Sequence, residues 1–178
     1  EVQNTGLSPL REQVEGISVD WGDYDNDGDQ DLVMAGYDES ASSNRARIYE
    51  NEGDGTFTKI GAGIDKVWEA RWGDYDNDGD LDLLAKGEHS SHTGIKLFRN
   101  DGNGTFTPTD LLNVQLEGTF RWVDYNGDGR LDVFVSGEKD FQPTSRIYRN
   151  ETGPDGAAFT RFNTGEALAS ARRWGDFD

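Results

Sequence analysis

The sequence contains no cysteine, so disulfides and thiolate metal sites are both excluded. It is also poor in positive charge. Lysine and arginine total 17 against 35 aspartates and glutamates, a formal charge of −18. Phosphate recognition needs a basic patch, so neither nucleic acid nor an anionic membrane surface is an expected partner. No apolar run approaches the length of a bilayer span, which excludes membrane insertion by a helix. Hydrophobic residues make up only 33% of the 178 residues, a share compatible with disorder. Aromatics at 11% and 23 glycines argue otherwise, because disordered acidic chains are poor in aromatics. The composition suits many short strands joined by glycine-rich turns.

What is present is a repeat. Trp21, Trp72, Trp122 and Trp174 recur at intervals of 51, 50 and 52 residues. Around them the chain reads DWGDYDNDGDQDLVMAG, RWGDYDNDGDLDLLAKG, RWVDYNGDGRLDVFVSG and a final RWGDFD. Downstream in each unit stands RIYENEGDGTFT, KLFRNDGNGTFT or RIYRNETGPDGAAFT. Each unit parses into four strands. The first, Gly16 to Trp21 in unit one, enters an acidic loop, and the second leaves it at Asp31 to Ala35. The second strand reads as buried on both faces, as do its counterparts at Leu83, Leu84 and at Val133, Phe134, Val135. The third, Arg45 to Glu50, alternates in the half-buried manner. Turns over Asn51 to Gly55, Asn100 to Gly104 and Asn150 to Gly156 lead to a short fourth strand, with Asn and Gly supplying positive φ.

Four antiparallel strands every forty to fifty residues define the blades of a β-propeller. The expected fold is therefore all-β, with about three and a half blades over one unit, 1–178. The repeats run approximately 1–58, 59–107, 108–160 and, incomplete, 161–178.

The acidic loops follow D-x-[DN]-x-D-G-x-x-D. They comprise Asp23, Asp25, Asp27, Gly28, Asp29, Asp31; then Asp74, Asp76, Asp78, Gly79, Asp80, Asp82; then Asp124, Asn126, Asp128, Gly129, Arg130, Asp132. Positions one, three and five turn oxygens to one concave side, glycine at six permits a sharp bend, and the ninth residue closes the loop. The seventh, Asp29, Asp80 or Arg130, offers its backbone carbonyl. Hard oxygen donors on a flexible loop suit calcium at about 2.3–2.6 Å better than magnesium. Three calcium sites are expected, the third weaker because Asn126 removes a charge and Arg130 adds an opposing one. An EF-hand is excluded: position twelve is Met34, Ala85 or Val135 instead of a bidentate glutamate, and the flanks are strands. The last loop stops at Asp176, Phe177, Asp178, too short to hold a metal.

The chain resembles the FG-GAP, or VCBS-type, repeats of integrin α-subunit propellers and of many secreted bacterial proteins. The likeness covers essentially the whole chain. It implies blades of a seven-bladed propeller with calcium between the first and second strands. The implied side-chain ligands are Asp23, Asp25, Asp27 and Asp31, then Asp74, Asp76, Asp78 and Asp82, then Asp124, Asn126, Asp128 and Asp132. Three and a half blades leave open ends, so either the remaining blades of a longer chain or copies of this one are expected to cover them.

No nucleophile–base set stands out, and the chain reads as a non-enzyme. His89 and His92 have no repeat equivalent and read as solvent-exposed loop residues, and Ser40, Ser42 and Ser43 lack an activating partner. Asn103-Gly-Thr and Asn150-Glu-Thr have the form of glycosylation sequons. The stretches Tyr37 to Asn44, Glu88 to Gly94 and Glu138 to Ser145 are expected as longer loops on the rim opposite the metal loops, with Tyr37 and Phe141 as contact aromatics. The expected role is extracellular or cell-surface recognition of a protein or glycan, with calcium structural. The alternatives are the propeller part of a larger secreted enzyme and a structural unit of a surface assembly.

Overall fold

The computed structural model describes residues 18–89, 92–115, 117–139, 142–153 and 156–162. Twelve strands form three four-stranded antiparallel sheets, and no helix occurs among the described residues. The first sheet contains β1 (Ser18–Gly22), β2 (Asp31–Asp38), β3 (Ser43–Asn51) and β4 (Phe57–Ile60). The second contains β5 (Val67–Gly73), β6 (Asp82–His89), β7 (His92–Asn100) and β8 (Phe106–Val114). The third contains β9 (Glu117–Val123), β10 (Asp132–Lys139), β11 (Gln142–Asn150) and β12 (Phe159–Phe162). Within each, neighbours in sequence are neighbours in space, the meander of a propeller blade.

The sheets pack face to face around two apolar layers. One joins Val33, Ala35 and Ile48 of the first sheet to Val67, Ala70 and Leu83 of the second. The other joins Leu84, Ile95 and Leu97 of the second to Phe120, Val133 and Val135 of the third. Strand β6 explains why its sequence does not alternate. Successive side chains on a strand point to opposite faces, and here Leu83 enters one layer and Leu84 the other. The double burial expected of the second strands is therefore present.

Two expectations need correction. Strand β3 is not half-buried in alternation: Ala46, Arg47, Ile48 and Tyr49 are all buried in succession. Arg47 is admitted because Asp38 across the hairpin neutralises it, with Arg47 Nε donating to Asp38 Oδ2 at 3.0 Å. The second correction concerns the far rim. Tyr37 to Asn44, Glu88 to Gly94 and Glu138 to Ser145 are mostly paired strand. Tyr37 pairs with Asn44, Glu88 with Thr93 and Glu138 with Pro143. Continuing the ladder satisfies backbone groups that a long loop would leave to water. Tyr37 is half-buried within β2, and His89 pairs with His92 at the end of the second hairpin. Phe141, the stretch Trp174 to Asp178, and the expected strand start at Gly16 lie outside the described residues.

A short connection returns each blade to the next. After β4, the Ala46 N–H donates to Ile64 O at 2.9 Å and the Lys66 N–H to Asn44 O at 2.6 Å, so the linker lies along β3 and buries Ile64.

Candidate metal loops and the seams between blades

Each acidic loop joins the first and second strands of its sheet and lies on the rim shared with the turn between the third and fourth. The ninth-position carboxylate ties loop and turn together. Asp31 Oδ2 accepts the Tyr24 N–H at 3.1 Å and its Oδ1 accepts the Asn51 N–H at 2.8 Å. Asp82 does the same for Tyr75 and Asn100 at 3.1 and 2.9 Å, and Asp132 for Tyr125 and Asn150 at 3.3 and 2.7 Å. All three are buried.

Within the loop, side-chain carboxylates fold the backbone around themselves. Asp23 Oδ2 accepts the Gly28 N–H at 3.1 Å, and Asp74 Oδ2 accepts the Gly79 N–H at 3.1 Å. The tight bend needs positive φ at the fourth and sixth positions. Asn26 and Asn77 have φ of 63° and 57°, and Gly28 and Gly79 both have 97°. Asparagine tolerates that region better than most residues, and glycine enters it freely. In the third–fourth strand turns, by contrast, glycine alone takes positive φ among the described residues. Asn51, Asn100 and Asn150 act by hydrogen bonding instead, their Oδ1 atoms accepting the N–H of Gly53, Gly102 and Thr152.

The fold gathers the first, third and fifth carboxylates of two loops. One ligand oxygen from each of Asp23, Asp25 and Asp27 lies within 4.8 Å of the others, and the same holds for Asp74, Asp76 and Asp78. Asp23 Oδ1, Asp74 Oδ1 and Asp76 Oδ1 are buried without a hydrogen-bond partner. An unpaired buried anionic oxygen is costly, and so is crowding three carboxylates together. The charges register that cost. Burial first, then repulsion from Asp78 and Asp74, pushes the Asp76 carboxyl above its usual range. Asp25 is raised mainly by burial, with Asp27 and Asp23 adding to it. Asp31 and Asp132 are raised by burial, and Asp82 is pushed up to about 7 by the same cause. A hard divalent cation fits this donor set, because it reverses the penalty at the oxygens that lack partners.

The third loop differs. Asp124, Asn126 and Asp128 stand where the other loops have three aspartates. Burial acts to raise the Asp128 carboxyl, but the Arg130 N–H, the Asn126 amide and the Arg130 guanidinium together hold it below its usual range. At position seven the Asp80 side chain also lies apart from its cluster, with Oδ1 accepting from Asn26 Nδ2 at 3.0 Å.

That last bond crosses between blades and belongs to a set that reading the sequence missed. Asn26 Nδ2 also donates to Gly79 O at 3.0 Å, so the first loop clasps the second. Asn100 Nδ2 donates back to Tyr24 O at 2.9 Å and Asn150 Nδ2 to Tyr75 O at 2.6 Å, each while holding its own loop through Leu81 O or Leu131 O. The signal was available, since an asparagine ends the third strand in every unit. Its burial also decides one sequon: Asn150 is 0% exposed with its amide fully used, so it is no acceptor in the folded chain. Asn103 is exposed in its turn.

Stacked four-stranded meanders with acidic loops on a single rim define a propeller-type repeat protein. The chain matches the FG-GAP-like repeat family over residues 23–85 and 89–135, more than half its length, and belongs to that family. No curated protein matches it significantly. No helix among the described residues is long and apolar enough to cross a membrane.

Proposed function

We propose that the chain is a calcium-stabilised recognition module of an extracellular or cell-surface protein. The observation that carries the metal assignment is the set of buried, unpartnered oxygens on Asp23, Asp74 and Asp76 inside three-carboxylate clusters. Asp23, Asp25 and Asp27 hold one ion and Asp74, Asp76 and Asp78 the other. Asp31 and Asp82, with the carbonyls of Asp29 and Asp80, complete the sets as the repeat pattern implies. An oxygen that accepts one N–H keeps a second lone pair, so the latch role of Asp31 and Asp82 does not disqualify them. Bound calcium supplies the positive charge these loops lack. The residues do the rest: Asp31 and Asp82 join loop to turn, and Asn26 joins loop to loop, so the order of each loop passes to its neighbour.

Extracellular calcium-binding modules work in the range of about 10⁻⁴–10⁻³ M, which supports placing such loops where calcium is abundant. Membership of the FG-GAP family supports the same location. Recognition of a protein or glycan is assigned to the hairpin tips of β2–β3, β6–β7 and β10–β11, on the rim away from the metal loops.

Melting the full chain in calcium and in excess chelator tests the metal. A large fall in Tm on chelation is expected, and superimposable melts would overturn the assignment. A glycan array probed with and without calcium tests the recognition role.

A further inference from the structure

The third loop keeps the frame of the other two but not their electrostatics. Asp132 latches Tyr125 and Asn150 just as Asp31 and Asp82 latch their partners. The first two loops carry five aspartates each, whereas the third carries Asp124, Asp128 and Asp132 together with an arginine. Asp23 Oδ1 and Asp74 Oδ1 lack a partner in the other loops, whereas here Asp124 Oδ1 and Asp128 Oδ2 each accept two donors, which uses both lone pairs. Asp124 Oδ1 accepts the N–H groups of Gly127 at 2.8 Å and Asp128 at 3.1 Å, and its Oδ2 accepts that of Gly129 at 2.9 Å. Asp128 Oδ1 accepts the Arg130 N–H at 3.0 Å. Its Oδ2 accepts from Asn126 Nδ2 at 2.9 Å and from Arg130 Nη2 at 2.5 Å.

The guanidinium is anchored at its other end. Arg130 Nε donates to Asn150 O at 3.1 Å, on the turn that Asp132 also grips. The arginine thus spans from the loop's fifth residue to the third–fourth strand turn. It brings fixed positive charge to the carboxylate that lacks it elsewhere. None of the buried oxygens left without a partner belongs to this loop, among the described residues.

We propose that Arg130 closes the third loop in place of a divalent cation, so that the chain binds two calcium ions rather than three. This rests on the calcium reading of the first two loops, and it replaces the expectation of a third, weaker site. A fixed guanidinium has one consequence an ion lacks. The third loop's own closure does not depend on the calcium concentration, so direct calcium binding is confined to the first two loops.

Calorimetric titration of the full, chelator-stripped chain with calcium chloride tests this. Two ions are expected in the wild type, one after Asp27→Asn or Asp78→Asn, and still two after Asp128→Asn. Three ions in the wild type, or a loss on Asp128→Asn, overturns the Arg130 assignment and leaves calcium binding itself intact. No binding at all sinks both. The double substitution Asn126→Asp with Arg130→Asp is expected to create a third site, and a count still at two would show that Arg130 is not what keeps the ion out. Circular dichroism on each variant confirms the fold. Arg130→Gln is expected to lower Tm by the same amount in calcium and in chelator, whereas a loss confined to calcium overturns the proposal.

Discussion

The indole of Trp72 lies nearly parallel to the phenol ring of Tyr24, with ring centroids 5.9 Å apart and planes 11° from each other. The two residues belong to different blades. Phe106 completes the cluster, 5.8 Å from Trp72 and 6.2 Å from Tyr24. Trp21 holds the same place in the first blade and packs on Phe57 at 6.1 Å, but no neighbouring tyrosine covers it within the described chain.

The contrast makes a clear mutational prediction. Trp72 is 7% exposed and Trp21 is 53% exposed. Replacing Trp72 by alanine is expected to cost about 3–5 kcal/mol, through lost burial and the cavity left between blades. Trp21→Ala is expected to cost about 1 kcal/mol or less, as for a side chain already facing water. Urea denaturation of the two variants in calcium checks it, and equal losses would contradict the seam described above.

Glycine after tryptophan has a matching explanation. A Cβ on Gly73 would lie 2.5 Å from Trp122 Nε1, and one on Gly22 would lie 2.5 Å from the Leu81 side chain and 3.0 Å from Trp72. The small residue makes room for the next blade. Gly73→Ala is therefore expected to destabilise by about 1–3 kcal/mol. Gly61→Ala, with nothing near its Cβ position and no positive φ, is expected to be neutral or to stabilise by up to about 1 kcal/mol. Thermal melts of the pair distinguish a packing cost from a general glycine effect.

Acid stability should depend on Asp38. The hydrogen bond from Arg47 holds this carboxyl far below its ordinary value of 3.8; burial opposes that shift and Ser40 reinforces it. A carboxyl depressed in the folded state contributes stability that is present above its unfolded pKa. That stability is lost as pH falls through the folded value. Asp38→Asn is expected to cost about 3 kcal/mol near neutral pH, since it leaves Arg47 buried without its counter-charge. The gap from wild type should begin to close only below 3.8. Urea titrations across the acid range measure it, and a gap that widened towards low pH would refute the assignment.

Much of this was legible in the chain. The period set by tryptophan, the acidic loops and the glycine-bearing turns are local patterns. They predict four strands per unit without knowledge of any neighbour. The far-rim hairpins were misread because polar residues such as Asp38, Ser43 and Asn44 look like loop, yet their backbones pair. Arg47 misleads for a related reason: a charge on a strand suggests an exposed face until its partner is found nine residues away.

The sequence by itself determined the all-β class, the repeat and the position of each acidic loop, because strand alternation, glycine and aspartate spacing act over a few residues. Only the tertiary structure decided which carboxylate oxygens remain without a partner, which tryptophan is covered, and that Asn100 and Asn150 hold one blade to the previous loop. The last two depend on groups about fifty to seventy-five residues apart. Burial and pairing at such range are set by how the sheets stack.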